Sequence, residues 1–467
     1  MLFHSEEFLL IFLPLVLAAW YAAGARPRLR MHLLIVASFL FYGWWDVRLV
    51  PLLAGSILVN WALARGSGYV PPRRLVVVGI VLNLAVLGVF KYFNFFAESL
   101  ALVAGADYQP WSIVLPLGIS FFTFQQISYL ADLSRDRAPL YRLDEYALYI
   151  SFFPQLIAGP IVRHNELIFQ FAEAPRRPGL HERLARGAIL LVIGLAKKVF
   201  LADGLARVAD PVFSAAAAGG SPTFAEAWAA TFAFTFQIYF DFSAYSDMAI
   251  GLALMFGFTL PFNFDAPLRA TSIREFWRRW HMTLTRFLTD YVYLPVGGSR
   301  LVARLGQNGR EGVATMVTML LCGLWHGAAW TFVAWGGLHG AGMVVNQAWR
   351  RARWPMPASL GWALTFMLFA TSLVLFRSAD FATAARVYEA LTGAGGWSFA
   401  VDGIRERYIV LTGVALAMVL LCPTSQRIAL ELARPRLLLA AGLGVTLLAV
   451  VLEVRRLEIR EFIYFQF

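Results

Sequence analysis

Two histidines stand out as groups that could move a proton inside an apolar chain. His326 lies in Leu321-Cys322-Gly323-Leu324-Trp325-His326-Gly327-Ala328-Ala329-Trp330, well within a hydrophobic run. Charged side chains at membrane depth cost roughly 2.5 kcal/mol or more, so an ionisable group there is by default a functional hypothesis. Kept neutral, its imidazole leaves one ring nitrogen able to accept a proton. Gly323 and Gly327 leave room for a substrate or another helix to approach. The structural alternative is a packed histidine bonded to a carbonyl. His281 lies in the stretch 273–288, where Ile273, Phe276, Trp277, Trp280, Leu284, Phe287 and Leu288 recur as one helical stripe. Arg278, Arg279 and Arg286 fall on the opposite side. That pattern predicts a single amphipathic helix in the membrane interface, its tryptophans at headgroup level. His281 sits at the stripe's edge, either anchoring at the headgroups or facing a reaction path.

Other polar groups offer weaker chemistry. Asp241 and Asp247 lie in an apolar segment and need a partner or water; they would orient a histidine, bind an arginine or serve as structural pairs. Lys197 and Lys198 would snorkel to an interface or meet an anionic donor. Cys322 stands four residues before His326 on the same helix face, a conceivable nucleophile pair but more simply a small apolar filler. His339 reads as packing. No HExxH, CxxC or other ligand spacing suggests a metal, and no Walker loop or GxGxxG fingerprint suggests a nucleotide.

The elements that must position these residues are membrane spans. The 467 residues are 59% hydrophobic and 15% charged, against about 25% charged in a soluble protein. Mean hydropathy is +0.63. Apolar stretches of membrane-spanning length recur throughout, which excludes a soluble enzyme, a disordered chain and a collagen-like fibre, and argues against an outer-membrane barrel. The net charge of +11 comes from basic clusters between apolar segments. This is the positive-inside pattern and a membrane-lipid signature, and it gives no reason to invoke nucleic acid. The first apolar stretch, about 8–24, lacks a basic n-region and a cleavage site and is expected to be retained. The fold class is therefore all-α and polytopic, one transmembrane domain over 1–467, with roughly ten or eleven crossings and both termini outside. Residues 145–161, broken by Pro154 and Pro160, read as a re-entrant or interfacial segment rather than a crossing. The region 313–348 reads as a pair of helices or a bent span. Residues 269–310 hold eight arginines against Glu275 and Asp290.

The chain resembles the membrane-bound O-acyltransferase superfamily in its alginate O-acetyltransferase branch. The resemblance rests on Phe122-Thr123-Phe124-Gln125-Gln126-Ile127-Ser128-Tyr129, Phe153-Pro154-Gln155-Leu156-Ile157-Ala158-Gly159-Pro160-Ile161, and Tyr239-Phe240-Asp241-Phe242-Ser243 through Asp247. It continues through Phe276-Trp277-Arg278-Arg279-Trp280-His281, Asp290-Tyr291-Val292-Tyr293-Leu294-Pro295, Leu324-Trp325-His326-Gly327 and the closing Phe462-Ile463-Tyr464-Phe465-Gln466-Phe467. These stretches keep their order over nearly the whole chain. Thr289, Ala244 and Ser299 depart from the arginine, glycine and asparagine usual in relatives, which bears on donor or partner details.

The resemblance implies helices around a central tunnel or funnel in the bacterial inner membrane. It assigns the invariant histidine to His326 and the second active-site position to His281. It places Trp325, Trp280, Arg278, Arg279, Asp290, Tyr291 and Asp241 among the substrate contacts. It implies no bound cofactor, a donor such as acetyl-CoA or a carrier-protein thioester, a polysaccharide acceptor and periplasmic partner proteins. A lipid or polysaccharide transporter, or an assembly subunit, is the rival class; it would not need His326 specifically.

Overall fold

In the computed structural model the described residues are 1–67, 71–401, 406–433, 437–456 and 460–465. Glutamine and phenylalanine at 466 and 467, the last two residues of the closing motif, lie outside them. Every regular element among the described residues is helical. Among the described residues, four helices are long and apolar enough to cross a bilayer: Val47–Gly66, Arg73–Ala104, Ala358–Arg377 and Leu437–Arg456. A fifth appears if Glu406–Leu421 and Ser425–Leu432, bent by 59°, form one broken span. This is fewer than the ten or eleven read from the sequence, because several apolar stretches form short or interrupted helices. The first, Glu7–Ala22, is a shorter apolar helix. The apolar stretch 112–132 becomes helical only at Ile119, and nearly all of the Ile119–Leu133 helix is buried in protein.

The chain forms two compact units. One comprises Met1–Leu195, Tyr245–Pro261 and Ser425–Glu461; the other comprises Ala196–Ala244, Phe262–Thr424 and Phe462–Phe467. In the first unit, one pair of buried amides bridges two apolar helices. Asn60 and Asn83 exchange amide hydrogen bonds at 2.6 and 3.3 Å. The segment expected to re-enter or lie at the interface is a helix over Leu143–Ser151, a break at Phe152 and one further turn, Phe153–Leu156, started by Pro154. Proline supports a first turn but not a helix interior, which accounts for the break. Arg30 is buried, lies 5.0 Å over Trp20 and donates to the carbonyls of Gly24 and Glu173.

The second unit holds both singled-out histidines. Its centre is an antiparallel pair, Gln307–His326 and Trp330–Arg351, joined by a three-residue turn. Small residues let the two backbones touch, as membrane helices require in the absence of a hydrophobic drive to associate. A methyl group added at Gly323 would meet the Phe332 carbonyl oxygen at 2.2 Å, and one at Gly336 the Met319 carbonyl oxygen at 2.2 Å. The pair expected over 313–348 is thus present, with its bend at Gly327–Ala329.

Candidate active site

The stretch 273–288 is not the single helix its stripe suggests. It forms two short helices, Ile273–Arg279 and Met282–Leu288, with Trp280 extended and His281 in the left-handed region at φ 42° between them. The loop before them causes the break. The Asp265 N–H donates to the Arg279 carbonyl at 2.9 Å and the Met282 N–H to the Asn263 carbonyl at 2.9 Å. These contacts capture the backbone on both sides of His281 in place of the helical ladder. Ser272 caps the first helix, accepting from the Glu275 N–H at 3.2 Å. Burial pushes the Glu275 carboxyl up, but the Thr271 N–H and hydroxyl together with Arg279 outweigh it and hold the group below its ordinary value.

The kink turns His281 inward, where it is fully buried. Its Nδ1 lies 3.0 Å from Asn263 Oδ1, and the same oxygen accepts from the Thr283 N–H at 3.2 Å and the Thr283 hydroxyl at 2.9 Å. The ring meets Phe242 edge-on at 4.7 Å, Trp325 at 5.9 Å and Tyr464 at 6.4 Å. His326 ends the Gln307–His326 helix and is also buried. Its ring packs on Trp325 at 4.9 Å, Trp335 at 5.2 Å, Phe376 at 5.3 Å and Tyr464 at 5.6 Å. The two histidines therefore share two neighbours, Trp325 and Tyr464, in one aromatic enclosure. The position of His326 at a helix C-terminus matters. The partial negative charge of the last carbonyls favours a positive ring there by about 0.3–1 kcal/mol.

The other candidates divide. Trp280 stacks on Phe276 at 5.5 Å and meets Phe264 and Phe369 at 5.1 Å each, so it packs the wall behind His281. Arg278 lines a separate cavity of about 360 Å³ with Arg274, Trp277, Glu311, Asn346 and Gln347. Arg279 is turned away from that cavity, paired with Glu275 at 2.8 Å. Asp290 and Tyr291 lie in the Thr289–Tyr293 turn, where Tyr291 packs on Phe287 at 4.9 Å. Neither lines the cavity, although their neighbours Thr289 and Tyr293 do. Asp241 serves the tail of the chain. Its carboxylate accepts from Lys198 Nζ at 2.8 Å and from the Ile463 N–H at 2.7 Å. Lys198 is buried, bonds Asp203 as well at 2.9 Å and lies 4.7 Å over the Phe462 ring. It neither snorkels nor faces an open site. This arrangement docks Phe462–Tyr464 and sets Tyr464 against both histidines.

His339 is satisfied at both nitrogens, by the Trp277 indole N–H at 3.3 Å and the Ser372 hydroxyl at 2.9 Å. Trp277 lines the cavity, His339 packs on Trp335 at 4.6 Å, and Trp335 packs on His326. A contiguous run of rings thus joins the cavity wall to the histidine enclosure. Asn263, Thr283 and the placement of Tyr464 had no signal in local periodicity; all depend on contacts between distant parts of the chain.

The membrane-bound O-acyltransferase family profile matches residues 117–359, a range that contains both histidines and the cavity. The chain belongs to this family. It is 37% identical over 434 residues to a peptidoglycan O-acetyltransferase of Helicobacter pylori, covering 85% of this chain and 81% of that one. It is 39% identical over 434 residues to a probable alginate O-acetylase of Pseudomonas aeruginosa, with 89% and 81% covered. A teichoic acid D-alanyltransferase of Streptococcus thermophilus is 29% identical over 245 residues, with 51% and 58% covered. This O-acyltransferase is thus an enzyme embedded in a membrane.

Proposed function

We propose that the protein is an O-acetyltransferase of the bacterial inner membrane, passing an acetyl group from a cytoplasmic thioester, acetyl-CoA, to a hydroxyl of an extracytoplasmic polysaccharide. The observation that carries the reading is the pair of buried histidines enclosed by Trp325 and Tyr464. In this reading the acceptor oxygen bonds to the acyl carbon as its proton passes to His326. The C–S bond breaks and the proton moves on to the departing thiolate, leaving an ester and a free thiol. General-base assistance of this kind supplies about 10²–10⁴ in rate. The helix terminus under His326 favours the transient imidazolium.

The 360 Å³ cavity is the donor's vestibule in this reading, with Arg274 and Arg278 available to its phosphates. The closer and longer similarity to O-acetyltransferases than to the D-alanyltransferase favours an acetyl donor over a D-alanyl carrier. Periplasmic partners would complete delivery to the glycan. The test is to supply purified protein in nanodiscs with acetyl-CoA and soluble fragments of alginate, peptidoglycan or cellulose, and to follow glycan O-acetyl esters by mass spectrometry. Ester on one glycan identifies the acceptor. Ester only with a D-alanyl carrier protein as donor would overturn the acetyl reading.

A further inference from the structure

The bonds around Asn263 decide the proton position on His281. The Thr283 backbone N–H is a donor whatever the protonation state, so the Asn263 atom it meets at 3.2 Å is the amide oxygen. An amide oxygen only accepts. The His281 Nδ1 that faces the same oxygen at 3.0 Å therefore carries its proton, and in neutral imidazole Nε2 is left with a lone pair. That nitrogen is buried, and among the described residues it has no hydrogen-bond partner. A buried acceptor left unsatisfied costs about 1–3 kcal/mol, and such groups in native proteins call for an explanation. The histidine is also held at φ 42°, a costly conformation for a residue with a side chain. The fold thus maintains an acceptor nitrogen beside Trp325 and Tyr464, the residues that also border His326.

A lone pair cannot donate to a thioester carbonyl, so a carbonyl-polarising role for neutral His281 is excluded. It can receive an N–H. Coenzyme A and acyl carrier proteins present their thioesters on the same phosphopantetheine arm. Two methylenes from the sulfur, that arm has an amide N–H, the hydrogen-bond donor nearest the reacting carbon. We infer that Asn263 and Thr283 are positioning residues that lock His281 as the Nδ1–H tautomer, so that Nε2 accepts the amide N–H of the donor's phosphopantetheine arm and aligns the thioester. This rests on the acyl-transfer reading and adds to it a subsite for the arm, common to both donor classes.

The test uses two small thioesters in the nanodisc enzyme: S-acetyl-N-acetylcysteamine, and its analogue with an ester oxygen in place of the amide N–H. The wild type turns over the amide with a kcat/KM about tenfold higher, the size of one hydrogen bond. Asn263→Leu removes the acceptor that fixes the tautomer and brings the ratio to about one. Asn263→Asp still accepts from Nδ1–H and Thr283 and retains the preference. Independently of activity, ¹⁵N spectra of histidine-labelled wild type, with the His281 signals assigned by loss in His281→Gln, show Nδ1 protonated and Nε2 bare. Equal use of the two thioesters by an active wild type, or a proton on Nε2, overturns the inference and leaves the acyltransferase reading intact. No turnover of either thioester or of acetyl-CoA overturns both.

Discussion

Gly323→Ala tests how the two central helices place His326. A Cβ at 323 lies 2.2 Å from the Phe332 carbonyl oxygen, 3.0 Å from its carbon and 3.1 Å from the Gly336 nitrogen. All three are backbone atoms, so no side chain can swing aside. Restoring ordinary contact, which begins at 3.4 Å, requires the helices to separate by about 1 Å. Overpacking of this kind costs about 1–3 kcal/mol. His326 lies three residues further along the displaced helix, and a 1 Å displacement of a reacting group costs about 10²-fold in rate. Gly337→Ala is the matched control, because its Cβ would meet only Leu320 Cδ2 at 3.5 Å. The assay is thermal unfolding of both variants in one detergent, with kcat for thioester consumption. Gly323→Ala should unfold at a lower temperature and lose about 10²-fold in kcat, while Gly337→Ala stays within about threefold of wild type. Equal behaviour of the two variants would refute the close backbone packing from which the magnitude is drawn.

Further consequences are checked by simpler means. Lys198→Met leaves the buried Asp241 and the half-buried Asp203 without their shared cation and should destabilise the protein by about 3–5 kcal/mol, read by thermal unfolding. Asp241→Leu removes the charge-assisted bond to the Ile463 N–H, worth about 1.5–3 kcal/mol; the C-terminal tail should become cleavable by carboxypeptidase and acyl transfer should fall as Tyr464 leaves the histidines. If the cavity arginines bind the donor as proposed, Arg274→Gln combined with Arg278→Gln should raise the KM for acetyl-CoA about tenfold at unchanged kcat. Glu275, held below its ordinary value of 4.5, contributes stability that is complete above that pH and is lost as pH falls through its lowered folded value. Glu275→Gln should remove this pH dependence from unfolding curves between pH 3 and 6 (a range of about three units around the ordinary carboxylate value).

The sequence made some of this site legible for clear reasons. His326 stood out because an ionisable group inside an apolar run is costly; of the two uses open to its flanking glycines, Gly323 admits the neighbouring helix at Gly336. The 273–288 stretch was legible as amphipathic but not as broken. Its stripe fits a continuous helix, whereas the break comes from Asn263, 18 residues upstream of His281, a contact that no local period reports. Basic clusters in the sequence do not reveal which arginines are buried, as Arg30 is against Trp20. Apolar length does not separate residues 112–118, which are not helical, from the helix that begins at Ile119 and packs inside protein. Lys198 and Asp241 were each legible as costly polar residues, but their meeting with the tail across 222 residues of chain was not.

The central claim is that a buried histidine at the end of the Gln307–His326 helix takes a proton during acyl transfer from a thioester. Radiolabelled acetyl-CoA supplied to purified wild type and His326→Ala in nanodiscs, with a competent glycan acceptor, tests it most directly. The account predicts transfer by the wild type and a loss of about 10²–10⁴-fold in kcat in the variant, with donor binding retained. Transfer by His326→Ala at a rate near wild type would contradict it.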